Sequence, residues 1–236
     1  MPTELLYMDD SYLREFEAEV TEVVGEKVVL DRTAFYPLGG GLPSDTGRLI
    51  KGSNSYQVKE VKKEGGKVVH IVPDNDLVAG DMVKGVLDWD KRYKVMRMHT
   101  ALHTLISVMN KKYGVLVTGN KVSYDRSRVD VNLERPDKQL VLEAIEETNN
   151  ILAKEIPVKI YYLPREEAMK IPGIVKLAKA LPPNIEKIRI VEIEGVDIQA
   201  DGGPHVANTK EVGEIVFLKL ENKGKNNRRI HFTLNP

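Results

Sequence analysis

The stretch DWDKRYKVMRMHTALHTLISVMNKKYG, residues 88–114, marks the point where the sequence pattern changes. Its apolar residues recur with a period close to 3.6, which predicts one amphipathic helix with a broad buried face. Asp88 and Asp90 are both suitable N-cap residues, and Gly114 supplies a stop. We therefore expect a long helix here, with β-rich sequence before it and mixed sequence after it.

The sequence before this helix consists of short strands separated by turns. The segment EFEAEVTEVVGEKVVLDRTAF (15–35) predicts two strands around Gly25, and SYQVKEVKKEGGKVVHIVP (55–73) predicts a hairpin around two adjacent glycines. A further short strand is predicted in DMVKGVLDWD (81–90). Such strands, spaced about 8–12 residues apart, are typical of a small barrel or sandwich.

The sequence after residue 88 predicts an α+β domain. A second helix is expected from Pro136 to about Lys154, and short helices over Glu166–Lys170 and Ile174–Leu181. Four strands are predicted, in VKIYYL (158–163), KIRIVEIE (187–194), EIVFLKLEN (214–222) and RRIHFTL (228–234). The last two strands are expected to form a hairpin. The predicted domains are therefore 1–88 and 89–236.

Composition excludes several classes of protein. Of the 236 residues, 42% are apolar and 30% charged, which argues against a disordered or collagen-like chain. No apolar run approaches the roughly 18 residues of a membrane span, and the acidic N-terminus is unlike a signal peptide. There are no cysteines, so disulfides and thiolate metal sites are excluded. We expect a cytoplasmic protein without membrane partners.

The zero net charge conceals an asymmetry along the chain. Residues 1–88 contain 10 basic and 16 acidic side chains, a net charge of −6. The remaining residues contain 25 basic and 19 acidic side chains, a net charge of +6. The overall balance does not indicate wholesale binding of nucleic acid, but a local contact by the second half stays open.

Three histidines and an aspartate have spacings that suit a metal site. His99 and His103 lie one turn apart on the predicted helix and face the same way. Asp201 and His205 flank the tight turn Gly202-Gly203-Pro204, and imidazole with carboxylate suits Zn²⁺. The alternatives are ordinary helix histidines and an ordinary surface turn. Thr100 follows the first histidine where a zinc peptidase has glutamate, which disfavours peptide hydrolysis.

Four segments together resemble the editing domains of alanyl-tRNA synthetases, and more closely the free-standing alanyl-tRNA editing proteins of medium length. They are HTALH (99–103), DGGPHVANTKEVGE (201–214), LDRTAFYPLGGGLPSDTG (30–47) and VTGNKVSYDRSRVDVNLE (117–134). The resemblance implies a β-barrel over 1–88 that is similar to translation-factor barrels. It also implies an α/β editing core over 89–236, of the kind shared by threonyl- and alanyl-tRNA synthetases.

The resemblance also implies an activity and a cofactor. The activity is hydrolysis of mischarged seryl-tRNA(Ala), with glycyl-tRNA(Ala) as a further candidate substrate and alanyl-tRNA(Ala) spared. One Zn²⁺ per chain would be held by His99, His103, Asp201 and His205, with His103 also counted as catalytic. The family usually has Cys at position 201 and Thr at position 204. Asp201 is therefore either an oxygen ligand or a group behind the ligands, with water in its place.

The same resemblance suggests residues that contact the substrate. Sparing alanine requires a hydrogen bond to the serine hydroxyl, because an apolar pocket rejects an added hydroxyl poorly, by about 10²-fold. Thr33, just before the glycine-rich loop, is the candidate, and the alternative is a solvent-facing strand threonine. The candidate contacts to the tRNA acceptor end are Gly39, Gly40, Gly41, Lys91, Arg92, Lys94, Lys121, Arg126, Arg128, Lys223, Lys225, Arg228 and Arg229.

Two other functions remain open at the level of sequence. One is a zinc-dependent hydrolase of small esters or amides that uses the same motifs. The other is a non-catalytic RNA-binding module in which the metal is structural. No Asp or Glu is clearly placed by sequence as a general base, so the group that activates water is not identified.

Overall fold

A computed structural model describes residues 2–174 and 185–235. The chain divides into two compact units, Met1–Val95 and Met96–Pro236. The division falls inside the long helix α1 (Trp89–Tyr113), whereas the sequence pattern places the boundary just before it.

The first unit is built from nine strands. Its strands are β1 (Glu4–Leu5), β2 (Glu15–Val24), β3 (Lys27–Leu30), β4 (Arg32–Thr33), β5 (Gly47–Lys51), β6 (Asn54–Val58), β7 (Glu60–Glu64), β8 (Lys67–Ile71) and β9 (Met82–Leu87). Seven of them form one sheet in the order β6-β5-β9-β2-β3-β8-β7, and β1 pairs with β4. Alternate residues of β2, namely Phe16, Ala18 and Val20, are buried in the core of this unit.

The long strand β2 bends this sheet. Its first half pairs with β9 and its second half pairs with β3, with an irregularity in register after Val20. Strands β6 and β7 lie at the two edges, and within the described residues no hydrogen-bonded ladder joins them. The described residues therefore form an open seven-stranded sheet, and the closed barrel expected from sequence is not confirmed.

In its described residues, the second unit contains most of α1 and two antiparallel sheets. Its other elements are β10 (Val117–Lys121), β11 (Ser127–Val131), α2 (Lys138–Leu152), β12 (Val158–Pro164), α3 (Arg165–Ala168), β13 (Lys187–Ile193), β14 (Asp197–Ala200), β15 (Ile215–Gly224) and β16 (Asn227–Leu234). One sheet has the order β10-β11-β16-β15 and the other β12-β13-β14. Together the two units give a mixed α and β protein.

Most of the predicted elements of the second unit are confirmed. Helix α2 begins at Lys138, two residues after the predicted start, because the side chain of Asp137 caps it by accepting the N–H of Leu140 at 2.9 Å. Four predicted strands correspond to β12, β13, β15 and β16, and the last two form the expected hairpin. The helix predicted over Ile174–Leu181 lies, apart from Ile174, outside the described residues.

Across residues 2–174 and 185–235, no helix is both long enough and apolar enough to cross a membrane.

Candidate metal centre

The second unit brings four potential metal ligands together. His99 and His103 lie on the buried side of α1, and the loop after β14 supplies Asp201 and His205. One ligand atom from each of the four residues lies within 4.8 Å of the others. The ring centroids of His99 and His205 are 4.0 Å apart, and each lies 4.7 Å from that of His103. The sequence-predicted set is therefore assembled in one place.

The carboxylate of Asp201 faces the Nε2 atoms of all three imidazoles. Its oxygens lie 3.3 Å from Nε2 of His205, 3.7 Å from that of His99 and 3.8 Å from that of His103. These separations leave the three nitrogens and the carboxylate converging on a common point. Asp201 thus lies among the imidazoles, where an oxygen ligand would be, and not behind them.

The Nδ1 atoms of the imidazoles point away from this centre, toward neighbouring oxygens. Nδ1 of His99 lies 3.3 Å from the carbonyl of Pro204, which can only accept, so this nitrogen carries the proton. Nδ1 of His205 lies 3.0 Å from the hydroxyl of Thr100. In His99 the free lone pair is therefore on Nε2, which is the state that metal binding requires. Nε2 of His205 lies 3.3 Å from Oδ1 of Asp201, which can only accept, so this imidazole would have to carry its proton on Nδ1 instead when a metal binds.

The loop that carries Asp201 is held tightly against α1. A Cβ atom on Gly203 would lie 2.5 Å from Cε1 of His99, so any other residue would displace this ring. The Gly203 N–H donates to Oδ1 of Asp201 at 2.6 Å. From β13, the buried Arg189 donates to the carbonyl of Asp201 at 2.7 Å and to that of Gly203 at 3.1 Å. The backbone of the loop is therefore fixed from two sides.

Burial sets the protonation states of the cluster. It lowers the pKa of His99 well below 6.5 and that of His205 to about 4, so both imidazoles are neutral at pH 7. Burial opposes ionisation of Asp201, but the surrounding imidazoles outweigh it and hold the pKa of its carboxyl well below its usual range. The neutral imidazoles of His99 and His205, the imidazole of His103 and the ionised carboxylate form a donor set that fits Zn²⁺.

Thr33 lies in the first unit, at the end of β4, and is fully buried. Nδ1 of His70 lies 3.1 Å from the carbonyl of Val28 and so carries the proton, which leaves Nε2 as an acceptor. The Thr33 hydroxyl therefore donates to Nε2 of His70, at 2.9 Å, and accepts the N–H of Phe35. One lone pair of its oxygen remains. The solvent-facing alternative for Thr33 does not apply.

The structure gives Arg92 a role different from the predicted tRNA contact. Its guanidinium is buried, pairs with the carboxylate of Asp45 and donates to the carbonyls of Ser11 and Ala34. Asp45 also accepts the N–H of Tyr36, so this ion pair joins the two ends of the glycine-rich loop. Arg92 is therefore not available to a phosphate.

Within the glycine-rich loop, Gly40 and Gly41 have φ values of 60° and 86°, which favour glycine. The hydroxyl of Tyr36 donates to the carbonyl of Gly39. Gly39 and Gly40 are exposed, and Gly41 is half-buried. The backbone of this loop is thus shaped by its glycines and tied at Gly39, and part of it faces solvent.

The other basic side chains that the sequence suggests as tRNA contacts differ in burial and in the bonds that they already make within the protein. Arg228 is buried and donates to the carbonyls of Glu134, Gly224 and Asn227, so it caps a turn. Arg229 makes two hydrogen bonds to Asp130, and Lys91 pairs with Asp88. The exposed members of the set are Lys94, Lys121, Arg126, Lys223 and Lys225, and Arg128 is half-buried.

Sequence reasoning missed three residues that support the centre. Arg189 lies in the run KIRIVEIE, where a basic residue among apolar neighbours was the available signal. Thr100 was considered only because it is not glutamate. Asp197, whose Oδ2 lies 3.4 Å from Nδ1 of His103, had no signal in its spacing.

Comparisons with known proteins agree with this organisation. Residues 188–231 match the family model described as "Threonyl and Alanyl tRNA synthetase second additional domain". Residues 7–91 match the model "tRNA synthetases class II (A)". The first of these ranges includes Asp201 and His205, whereas His99 and His103 lie outside both.

Similar whole proteins are also known. The chain is 51% identical to "Alanyl-tRNA editing protein AlaX-M" of Saccharolobus solfataricus, over 99% of this chain and all of that protein. It is 47% identical to the protein of the same name from Methanosarcina barkeri, over 98% of this chain and 99% of that one. "Alanyl-tRNA editing protein AlaX-L" of Pyrococcus horikoshii is 40% identical, over 98% of this chain and 57% of that protein.

Proposed function

The chain belongs to the alanyl-tRNA editing protein family, and from this we propose that it is a trans-editing hydrolase that removes serine from mischarged seryl-tRNA(Ala). Glycyl-tRNA(Ala) is a further candidate substrate, and alanyl-tRNA(Ala) is spared. The observation that carries the proposal is the convergence of His99, His103, Asp201 and His205 in a chain of this family.

The proposed cofactor is one Zn²⁺ per chain, held by Nε2 of the three imidazoles and an oxygen of Asp201. A bound Zn²⁺ acts as a Lewis acid that polarises a carbonyl or lowers the pKa of bound water. Three features support this assignment: the neutral imidazoles, the outward-facing Nδ1 atoms and the ionised carboxylate. An aspartate where the family usually has cysteine gives a harder oxygen donor, which suits Zn²⁺ and also other divalent cations.

Discrimination between serine and alanine is assigned to Thr33. Its hydroxyl proton is directed at Nε2 of His70, so the remaining lone pair can accept a hydrogen bond from the hydroxyl of a seryl ester. An alanyl ester has no hydroxyl to donate there. A site built around such a hydrogen bond discriminates much more strongly than an apolar pocket does.

Contacts to the tRNA are assigned to the basic side chains that the structure leaves accessible, together with the glycine-rich loop, Gly39–Gly41. These side chains are Lys91, Lys94, Lys121, Arg126, Arg128, Lys223 and Lys225. Phosphate contacts need charge at the surface, which is why the buried Arg92 and Arg228 are not included. The single-stranded end of the acceptor arm is the part of a tRNA that best fits recognition of an attached amino acid.

The test is deacylation of seryl-, glycyl- and alanyl-tRNA(Ala) by the purified protein and by His103→Ala. We expect rapid loss of serine, little loss of alanine, and a fall of at least about 100-fold in the rate for the variant, since a metal ligand is removed. Chelation should have the same effect, and added Zn²⁺ should reverse it. Glu194→Gln serves as the control, because Glu194 is exposed, lies outside the centre and pairs with Lys159.

Three outcomes would contradict the proposal. Equal activity on free seryl esters and on seryl-tRNA(Ala) would indicate a small-ester hydrolase. Binding of tRNA without hydrolysis would indicate an RNA-binding module with a structural metal. Full activity of His103→Ala or of the chelated protein would remove the centre from the reaction.

A further inference from the structure

The environment of His103 differs from that of the other two imidazoles. The Nδ1 atoms of His99 and His205 lie close to a neutral oxygen, the carbonyl of Pro204 and the hydroxyl of Thr100. Nδ1 of His103 is buried and makes no aligned hydrogen bond to any described residue. Oδ2 of Asp197, which can only accept, lies 3.4 Å from this nitrogen. This imidazole therefore has a carboxylate where the others have a neutral oxygen.

Asp197 is placed for this contact by the fold. It is the first residue of β14, where it lies opposite Ile193 of β13, and its side chain is only 4% exposed. The side-chain amide of Gln199 donates to the same Oδ2 atom. The carboxylate is thus held between the amide of Gln199 on one side and the imidazole of His103 on the other.

The chemistry of a metal ligand explains why a carboxylate would be useful there. When Nε2 of an imidazole binds a cation, Nδ1 must carry the proton, and the cation makes this N–H a stronger donor. A buried N–H of this kind needs an acceptor. A carboxylate accepts more strongly than a carbonyl or a hydroxyl does, and it raises the basicity of the ligating nitrogen.

We propose that Asp197 is a positioning residue, which accepts the Nδ1–H of His103 and thereby fixes this imidazole with Nε2 toward the metal. The proposal rests on the proposed metal centre but does not depend on the identity of the substrate. Under this proposal, the imidazole of His103 is the strongest electron donor of the three to the metal.

The test measures the binding of metal alone, without tRNA. The affinity for Zn²⁺ is measured by competition with a chromophoric chelator, and the geometry of the site by the absorption spectrum of the Co²⁺-loaded protein. Asp197→Ala should lower Zn²⁺ affinity by about 10- to 100-fold and change the Co²⁺ spectrum. Asp197→Asn keeps an oxygen that can accept the N–H but loses the charge, so its affinity should lie between those of the wild type and Asp197→Ala.

Glu194→Gln is the matched control. It removes one carboxylate three residues away, from an exposed side chain that pairs with Lys159, and should leave both measurements unchanged. Melting of the metal-free proteins shows whether a variant is folded. If Asp197→Ala does not fold, Asp197→Asn decides the question.

The outcomes are separable from those of the proposed function. Wild-type Zn²⁺ affinity and an unchanged Co²⁺ spectrum in a folded Asp197 variant would overturn the role of Asp197, whatever the protein does to tRNA. Conversely, an Asp197-dependent affinity in a protein that leaves seryl-tRNA(Ala) intact would reject the editing function and retain the positioning role.

Discussion

Thr33 illustrates how one buried contact can set the direction of a hydroxyl. The carbonyl of Val28 can only accept, so it places the proton of His70 on Nδ1 and leaves Nε2 as an acceptor for Thr33. The Thr33 hydroxyl is then committed as a donor inside the protein. This buried hydroxyl can take part in a further hydrogen bond only as an acceptor, and in the proposed function the serine hydroxyl is its donor.

Replacing this hydroxyl should change specificity. We expect Thr33→Val to lower the ratio of kcat/KM for seryl- over alanyl-tRNA(Ala) by about 10- to 100-fold, the effect of one lost hydrogen bond in a buried site. Deacylation of the two substrates measures the ratio. Thr33→Ser keeps the hydroxyl and is the control. If Thr33→Val has the same ratio as Thr33→Ser and the wild type, Thr33 does not recognise the serine side chain.

At the level of elements, the sheet β10-β11-β16-β15 presents a row of basic side chains on one face. The strand register places Lys121 opposite Arg128, Arg128 opposite His231, and His231 opposite Lys219. Beside this row lies a pocket of about 320 Å³ that is lined by Lys121, Arg126, Arg128, Arg229 and His231, together with Ser123 and Ser127. The strand register thus brings these side chains together, while Glu221 pairs with Lys219 and His231, and Asp130 pairs with Arg128 and Arg229.

This face should govern the salt dependence of tRNA binding. If Lys121 and Arg126 contact phosphates, Lys121→Ala and Arg126→Ala should each weaken binding and reduce the slope of log K against log salt by about 1. Titrations at several salt concentrations measure the slope. Lys210→Ala, which removes an exposed lysine paired with Glu155, should leave it unchanged. Wild-type slopes for both variants would exclude this face from the interface.

A second feature at the level of elements is the buried ion pair between Arg92 and Asp45. It connects the first turn of α1 to both ends of the glycine-rich loop through Ala34, Tyr36 and Asp45 itself. A buried pair of this kind is strongly destabilising to break, because the remaining charge is left without a partner. The pair therefore shapes the loop that precedes β5.

At the level of the whole molecule, buried histidines connect stability to pH. Burial lowers the pKa of His70 to about 4, whereas an unfolded chain has a histidine pKa near 6.5. Between these values the unfolded state binds more protons, so the stability contributed by neutral His70 is present above pH 6.5 and is lost as the pH falls toward 4. The loss is about 3 kcal/mol by the usual conversion of a pKa difference into free energy.

This linkage can be measured by urea unfolding of the metal-free protein at pH 7 and pH 4.5. From pH 7 to pH 4.5, the free energy of unfolding should fall less for His70→Gln than for the wild type. The reason is that glutamine cannot bind a proton when the chain unfolds. His99 and His205 also have lowered pKa values and contribute in both proteins, so the difference between the two isolates His70. An identical pH dependence would contradict the assigned protonation state.

The sequence alone predicted α1, α2 and several of the strands, and it selected the four side chains that the structure brings together. The period of 88–114 predicted α1, and a spacing of four placed His99 and His103 on one face, because side chains one helical turn apart must point the same way. Asp201 and His205, four residues apart around a tight turn, were added to this pair as donors that suit a metal, and the resemblance to the editing family supported the same set. These inferences depend on local geometry and on short motifs, which can be recognised in a single amino-acid sequence.

Only the tertiary structure decided which polar residues support the site. Arg92 lies between Lys91 and Lys94 and looks equally basic in sequence, yet only Arg92 is buried, on Asp45. Asp197 reaches His103 across 94 positions of sequence, through the pairing of β13 with β14. Such contacts arise from strand register and from the packing of distant segments, which no local pattern encodes.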